Sequence, residues 1–168
     1  MKLSGAVIGC SLLVLSGCFA KVYKEPTSGP TTEVVFENRS AYELLMTLYE
    51  DPVQCTGVTI LAGRGREFPP NSQMTVKFPA RRMATIQFSF IGVSQTAGLE
   101  VASCIVVATF TPDDVHHYRF VYTTEDGRCK LNDRRASIAG EWEQDPTFIP
   151  RKPRQPFLAK DGFCEALP

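Results

Sequence analysis

Short apolar runs alternate with turn residues along most of this chain, and within the runs the alternation has period two. In Met83–Ile91, Ala84, Ile86, Phe88 and Phe90 fall on one side, against Thr85, Gln87, Ser89 and Ile91. A strand sends successive side chains to opposite faces, so this pattern predicts a half-buried strand. Comparable runs occupy Glu33–Glu37, Gly57–Leu61, Gln73–Phe78, Tyr118–Thr123 and Arg128–Leu131. Cys104–Thr111 is the most apolar run and predicts a central strand. Tyr42–Tyr49 reads two ways. Asn38 or Ser40 could cap a helix there, and Glu43, Leu44, Leu45 and Met46 favour one. Yet Tyr42, Leu44, Met46 and Leu48 alternate, and the short Asn38-Arg39-Ser40 turn after Glu33–Glu37 predicts a hairpin, so strand is the preferred reading.

Turn chemistry separates these runs: Asp51-Pro52, the loop Gly63–Asn71, Pro79–Arg82, the loop Gly92–Glu100, Thr111-Pro112-Asp113-Asp114, and Asp126-Gly127, a hairpin signal. About eight short strands spaced 10–15 residues apart predict an all-β fold. The expected architecture is an antiparallel β-sandwich over residues 33–143, of immunoglobulin-like or transthyretin-like kind. The stretch Arg134–Glu143 holds a helical turn or one more strand. From residue 144 the chain carries Pro146, Pro150, Pro153 and Pro156, which predicts an irregular C-terminal extension, 144–168. With 43% hydrophobic and 21% charged residues among 168, the composition is that of one globular domain. Eighteen Lys and Arg balance eighteen Asp and Glu, so no overall field would draw the protein to nucleic acid or to an acidic membrane.

The first residues are different. Lys2 precedes an apolar run, Leu3–Leu15, of 13 residues. That is too short to cross about 30 Å of hydrocarbon as a helix. Position and length predict a removable export signal, residues 1–17. It ends in Leu15-Ser16-Gly17-Cys18, which resembles the lipobox of bacterial lipoproteins: an aliphatic residue, two small residues, then Cys. The resemblance implies that Cys18 receives a diacylglycerol, that the chain is cut before it, and that the protein is held to a membrane by its acyl chains. Phe19 rather than Asp follows, which by the same resemblance implies the periplasmic face of the outer membrane. Cleavage after Ala20 is the alternative and would release a soluble periplasmic protein. Residues 18–32 are rich in Pro, Thr, Ser and Gly and are expected to form a flexible tether.

Cys10 lies inside the signal. Beyond Cys18 four cysteines remain, Cys55, Cys104, Cys129 and Cys164, an even set that in an exported chain reads as two disulfides. Of three possible pairings, Cys55–Cys104 and Cys129–Cys164 are preferred, the second pinning the Pro-rich extension. Those loops of roughly 50 and 36 residues would each contribute about 4 kcal/mol by chain entropy. The spacings are long and irregular and include no C-x-x-C, so neither a metal site nor any cofactor is expected.

The order Cys104, Phe110-Thr111-Pro112, Tyr118, Cys129 is similar to one found in small uncharacterised β-sandwich lipoproteins of bacteria, over roughly Glu33–Asp133. It implies no activity. Asp113, Asp114, His116 and His117 crowd at one strand start and have the side chains of a metal or acid–base site. Adjacent residues on a strand face opposite ways, which favours a polar turn instead. Arg64/Arg66, Arg81/Arg82, Arg134/Arg135 and Arg151/Lys152/Arg154 would bind phosphates or carboxylates if they met on one face. Trp142, the only tryptophan, is expected as a core plug under the C-terminal segment, with a surface anchor as the alternative. No P-loop or nucleophile elbow occurs.

These readings converge on a lipid-anchored envelope protein with a structural or protein-interaction role and no enzymatic one. One version is a subunit of a secretion machine. An alternative is a binding module that inhibits an envelope enzyme such as lysozyme through Gly63–Asn71 or Gly92–Glu100. An enzyme would need the His116/His117 region to meet an acidic partner in a pocket.

Overall fold

The computed structural model describes residues 21–62, 67–94, 100–137, 139–155 and 161–167. These residues form a β-sandwich of two sheets, with ten strands and no α-helix among them. One sheet has six strands, in the order β1 (Lys21–Val22), β4 (Thr56–Ala62), β3 (Leu45–Asp51), β6 (Ala84–Ser94), β7 (Glu100–Phe110) and β10 (Ile149–Arg151). The other has four: β5 (Ser72–Pro79), β2 (Thr31–Asn38), β8 (His116–Glu125) and β9 (Arg128–Ser137). The pairings are not all antiparallel as expected: β1–β4 and β2–β8 run parallel. Period-two alternation specifies a face and not a direction, and parallel partners are joined by long connections that leave no local signal.

The inward positions are those the alternation marks. Phe36 is fully buried, with ring centroids 5.6 Å from Phe120, 5.8 Å from Phe88 and 6.1 Å from Phe78. Phe110 meets Phe120 across the sheets at 4.8 Å. Each such ring contributes about 1.5–3 kcal/mol through removal from water, and edge-on geometry adds to that. The β8–β9 hairpin turns on Asp126 and Gly127, both at positive φ (49° and 70°), the pair of angles that a type I′ turn requires.

The expected hairpin after Glu33–Glu37 does not form. The chain crosses there from the four-stranded sheet to the six-stranded one, held by Asn38. This buried side chain donates to the carbonyls of Tyr42 (2.8 Å), Phe68 (3.1 Å) and Pro69 (2.9 Å). Its oxygen accepts from the Ser40 N–H (3.0 Å) and hydroxyl (2.7 Å). Asn38 thus ties a crossover and caps no helix, and Leu45–Asp51 is strand.

Both ends of the described part belong to the sandwich. Within the stretch expected to be a tether, β1 pairs with β4, and Tyr23 stacks on Phe78 at 5.5 Å while its hydroxyl donates to the Lys77 carbonyl on β5 (2.8 Å). One aromatic among polar residues suffices to dock the segment, and composition does not show that. At the far edge Phe148 packs against Phe120 (6.0 Å), and β10 adds to β7. The end of the Pro-rich extension, at Phe163 and Cys164, packs on the outer face of the six-stranded sheet. Tyr49, Val107, Cys55, Cys164 and Phe163 form a second, smaller core there.

The disulfides are Cys55–Cys164 and Cys104–Cys129, with Cα separations of 5.6 and 6.2 Å. This corrects the preferred pairing. Cys55 lies on the outer face of the six-stranded sheet and Cys104 packs into the inner core, so the sheet itself stands between them. The extension is pinned, as expected of Cys164, but to Cys55. The separations of 109 and 25 residues correspond to about 5 and about 3.5 kcal/mol in the chain-entropy account. Cys55→Ser with Cys164→Ser is therefore expected to cost more in urea unfolding than Cys104→Ser with Cys129→Ser. A larger loss from the second pair would contradict this assignment.

Candidate functional site

The polar cluster at the start of β8 divides. Asp113 Oδ2 lies 2.7 Å from His116 Nδ1, and Asp113 Oδ1 accepts from the Val115 N–H at 3.0 Å. A carboxylate only accepts, so Nδ1 carries the proton in this pair. The Asp113 N–H donates to the Tyr118 hydroxyl (3.0 Å), and Thr32 Oγ1 donates to the His116 carbonyl (2.8 Å). Asp114 turns away to Arg81, 3.0 Å distant. His117, one residue on, stands exposed on the opposite face. The groove here, of about 270 Å³, is lined by Thr31, Glu33, Lys77, His116 and His117 among others. Among the described residues, no three His, Cys, Asp or Glu side chains are placed to share a metal ion. Burial raises the Asp113 carboxyl, but the hydrogen bonds from His116 and the Val115 N–H, with the His116 charge, outweigh it and hold the group below its ordinary value. The arrangement locks a turn between the two sheets.

The arginine pairs do not gather on one face. Arg64 and Arg66 lie outside the described residues. Arg135 reaches Glu143 at 2.8 Å, while Arg134 beside it is exposed on the other face. Lys152 pairs with Glu165 at 3.1 Å. An ion cluster that the spacing does not mark lies on the outer face of the four-stranded sheet. Glu37, nearly buried, pairs with Arg39 (2.8 Å) and with Arg119. Arg119 comes from β8, brought alongside β2 by the parallel pairing.

Arg151 is a buried charge, at 7% exposure. Its Nε donates to the Glu165 carbonyl (3.0 Å), Nη1 to the Pro52 carbonyl (3.1 Å) and Thr109 Oγ1 (2.9 Å), and Nη2 to the carbonyls of Val53 (2.8 Å) and Glu165. Five donors meet five hydrogen bonds. Thr109 in turn lies 2.6 Å from Thr85 Oγ1, which donates to the Pro52 carbonyl at 2.7 Å. Arginine only donates and a carbonyl only accepts, so the Thr109 hydroxyl must donate to Thr85. Burial pushes the guanidinium pKa down. Its neighbours are dipoles that hold the charge without a carboxylate.

Trp142 is not a plug: it is 47% exposed. Phe148 and Phe163 fill the places under the C-terminal segment instead. Cys18 and the expected export signal, residues 1–17, lie outside the described residues.

Two outcomes follow. Arg151→Ala leaves buried carbonyls and Thr109 without donors and should cost on the order of 3 kcal/mol in urea unfolding. Arg151→Lys should recover less than half of that, since a lysine cannot present a planar fork. Asp113 has a folded pKa below its unfolded one, so its contribution is present above the unfolded value and lost as pH falls through the folded one. Asp113→Asn should melt below the wild type at neutral pH, with the gap closing as pH drops below about 4. Thermal melts across that range decide it.

No protein-family model matches this chain, and no curated protein matches it either.

Proposed function

We propose that this is a lipid-anchored protein of a bacterial cell envelope, held by acyl chains on Cys18, which acts by binding or bracing another envelope component and not by catalysis. The observation that carries the reading is Leu15-Ser16-Gly17-Cys18 at the end of a charged-then-apolar leader. Two disulfides in the domain that follows are compatible with an oxidising compartment and support it. Phe19 after the cysteine favours the outer membrane, periplasmic side. The groups with the most chemical potential are engaged in structure, which favours a non-enzymatic role. Asp113 and His116 hold a turn, and four cysteines are paired.

Acyl chains contribute about 0.8 kcal/mol per buried CH₂, so two or three of them make attachment effectively permanent. Labelling with radioactive palmitate should mark the wild type and leave Cys18→Ser unmarked and in the soluble fraction. Equal labelling of the two, or a mature N-terminus at Lys21, would overturn the reading.

A further inference from the structure

One end of the sandwich collects the connections between its sheets. Residues 80–83 lead from the last residue of β5 to β6, and 111–115 lead from β7 to β8. Ala84 faces Phe110, and Thr31 faces Pro79, so both connections lie at this end. β9 also finishes here, Ser137 facing His116, and residues 139–142 follow it. Three large apolar side chains stand exposed on these loops: Met83 (40%), Val115 (57%) and Trp142 (47%). The other exposed large apolar side chains among the described residues, Val22, Val58, Ile105 and Ile149, are all on strands of the six-stranded sheet. The opposite end, at Asp126-Gly127, is the length of β8 away, ten residues or about 30 Å.

The described chain is entered from the same end, on the side of the proposed anchor. β1 runs parallel to β4, and β4 leaves the 52–55 turn at this end, so the chain approaches Lys21 from it. Lys21 shares a row with Thr59, Leu48 and Ile86, two residues in from the start of β6. Two residues, Phe19 and Ala20, separate Cys18 from Lys21, and the three Cα–Cα steps between them span at most about 11 Å. From β1 across to β7 is four strand spacings, about 19 Å. β9, which leads to Trp142, is joined to β7 by Cys104–Cys129. Lys21, within two residues of the proposed anchor, and Trp142 thus belong to opposite sides of this end of the sandwich.

We propose that this end of the sandwich rests on the lipid surface, with Trp142, Met83 and Val115 seated between headgroups and acyl chains. The inference rests on the lipid-anchor reading. An acyl anchor alone leaves a domain free to swing, and a second contact fixes its tilt. The occupant is a bilayer because β1 leaves only two residues between the acylated position and the fold. An amphipathic indole ring is also suited to the headgroup level. The face turned away from the bilayer, around the β8–β9 turn, is then the one offered to a partner.

Trp142 is its own reporter, since the chain has no other tryptophan. The full acylated protein, reconstituted into phosphatidylcholine vesicles with brominated acyl chains, should show a blue-shifted emission and strong quenching relative to unbrominated vesicles. Met83→Asp with Val115→Asp should lose most of that quenching. With the reporter moved to the far end by Trp142→Phe and Arg128→Trp, emission should stay water-like and unquenched. If mass spectrometry shows Cys18 acylated and the protein floats with vesicles, yet Trp142 is neither shifted nor quenched, the orientation is wrong and the anchor stands. If Cys18 carries no lipid and the protein does not float, the anchor reading fails and takes the orientation with it.

Discussion

A six-stranded sheet opposed by four strands cannot be covered on its inner face by strands alone. Both lateral openings would expose the edges of an aromatic core around Phe36, Phe88 and Phe120 to water. The chain ends close them. Tyr23 packs against Phe78 on the β5 side, and Phe148 packs against Phe120 on the side where β9 is the edge strand. Each brings one aromatic ring and little else, so the short strands β1 and β10 follow from the docking of a side chain more than from strand propensity. The outer face of the larger sheet presents the same problem again at Tyr49 and Val107, and there the C-terminal segment is the cover.

The described part of that cover buries only Phe163 and Cys164 in this second core. Its prolines remove backbone donors, and it crosses the sheet with few ladder bonds. Arg151 supplies the attachment in their place. One guanidinium joins the β3–β4 turn through Pro52 and Val53, β7 through Thr109, and the final segment through Glu165. The Cys55–Cys164 bond then closes the same contact covalently. Gly162, at φ +78°, lets the chain pass the Gln54 carbonyl, where any Cβ would collide. A buried charge with its donors fully bonded has one geometry, and through it so does the segment.

These arrangements also bear on function. The N-terminal segment from Lys21 is a strap across the sandwich edge, so a lipid on Cys18 would hold the domain close to the membrane. The polar groups that resemble catalytic sets are distributed among turns and ion pairs, where each stabilises a connection between the sheets.

The alternation of apolar and polar residues determined the strands, their inward faces and the sandwich class, because side-chain period and burial are local properties of a strand. Asp126-Gly127 likewise fixed its hairpin through backbone angles alone. The separation of His116 from His117 was legible from the same period. The disulfide pairing, the crossover at Asn38, the parallel pairings, the docked ends and the exposure of Trp142 were not. Each depends on which sheet, and which face of it, a residue occupies, and that is decided when strands far apart in sequence assemble. The two cysteine pairs show the reason most directly. Cys55 and Cys104 are separated by the thickness of a sheet, a distance no spacing along the chain records. The leader and Leu15-Ser16-Gly17-Cys18 stand at the other extreme, since their meaning lies wholly in the linear sequence. What the tertiary structure added is the short reach from Cys18 to β1.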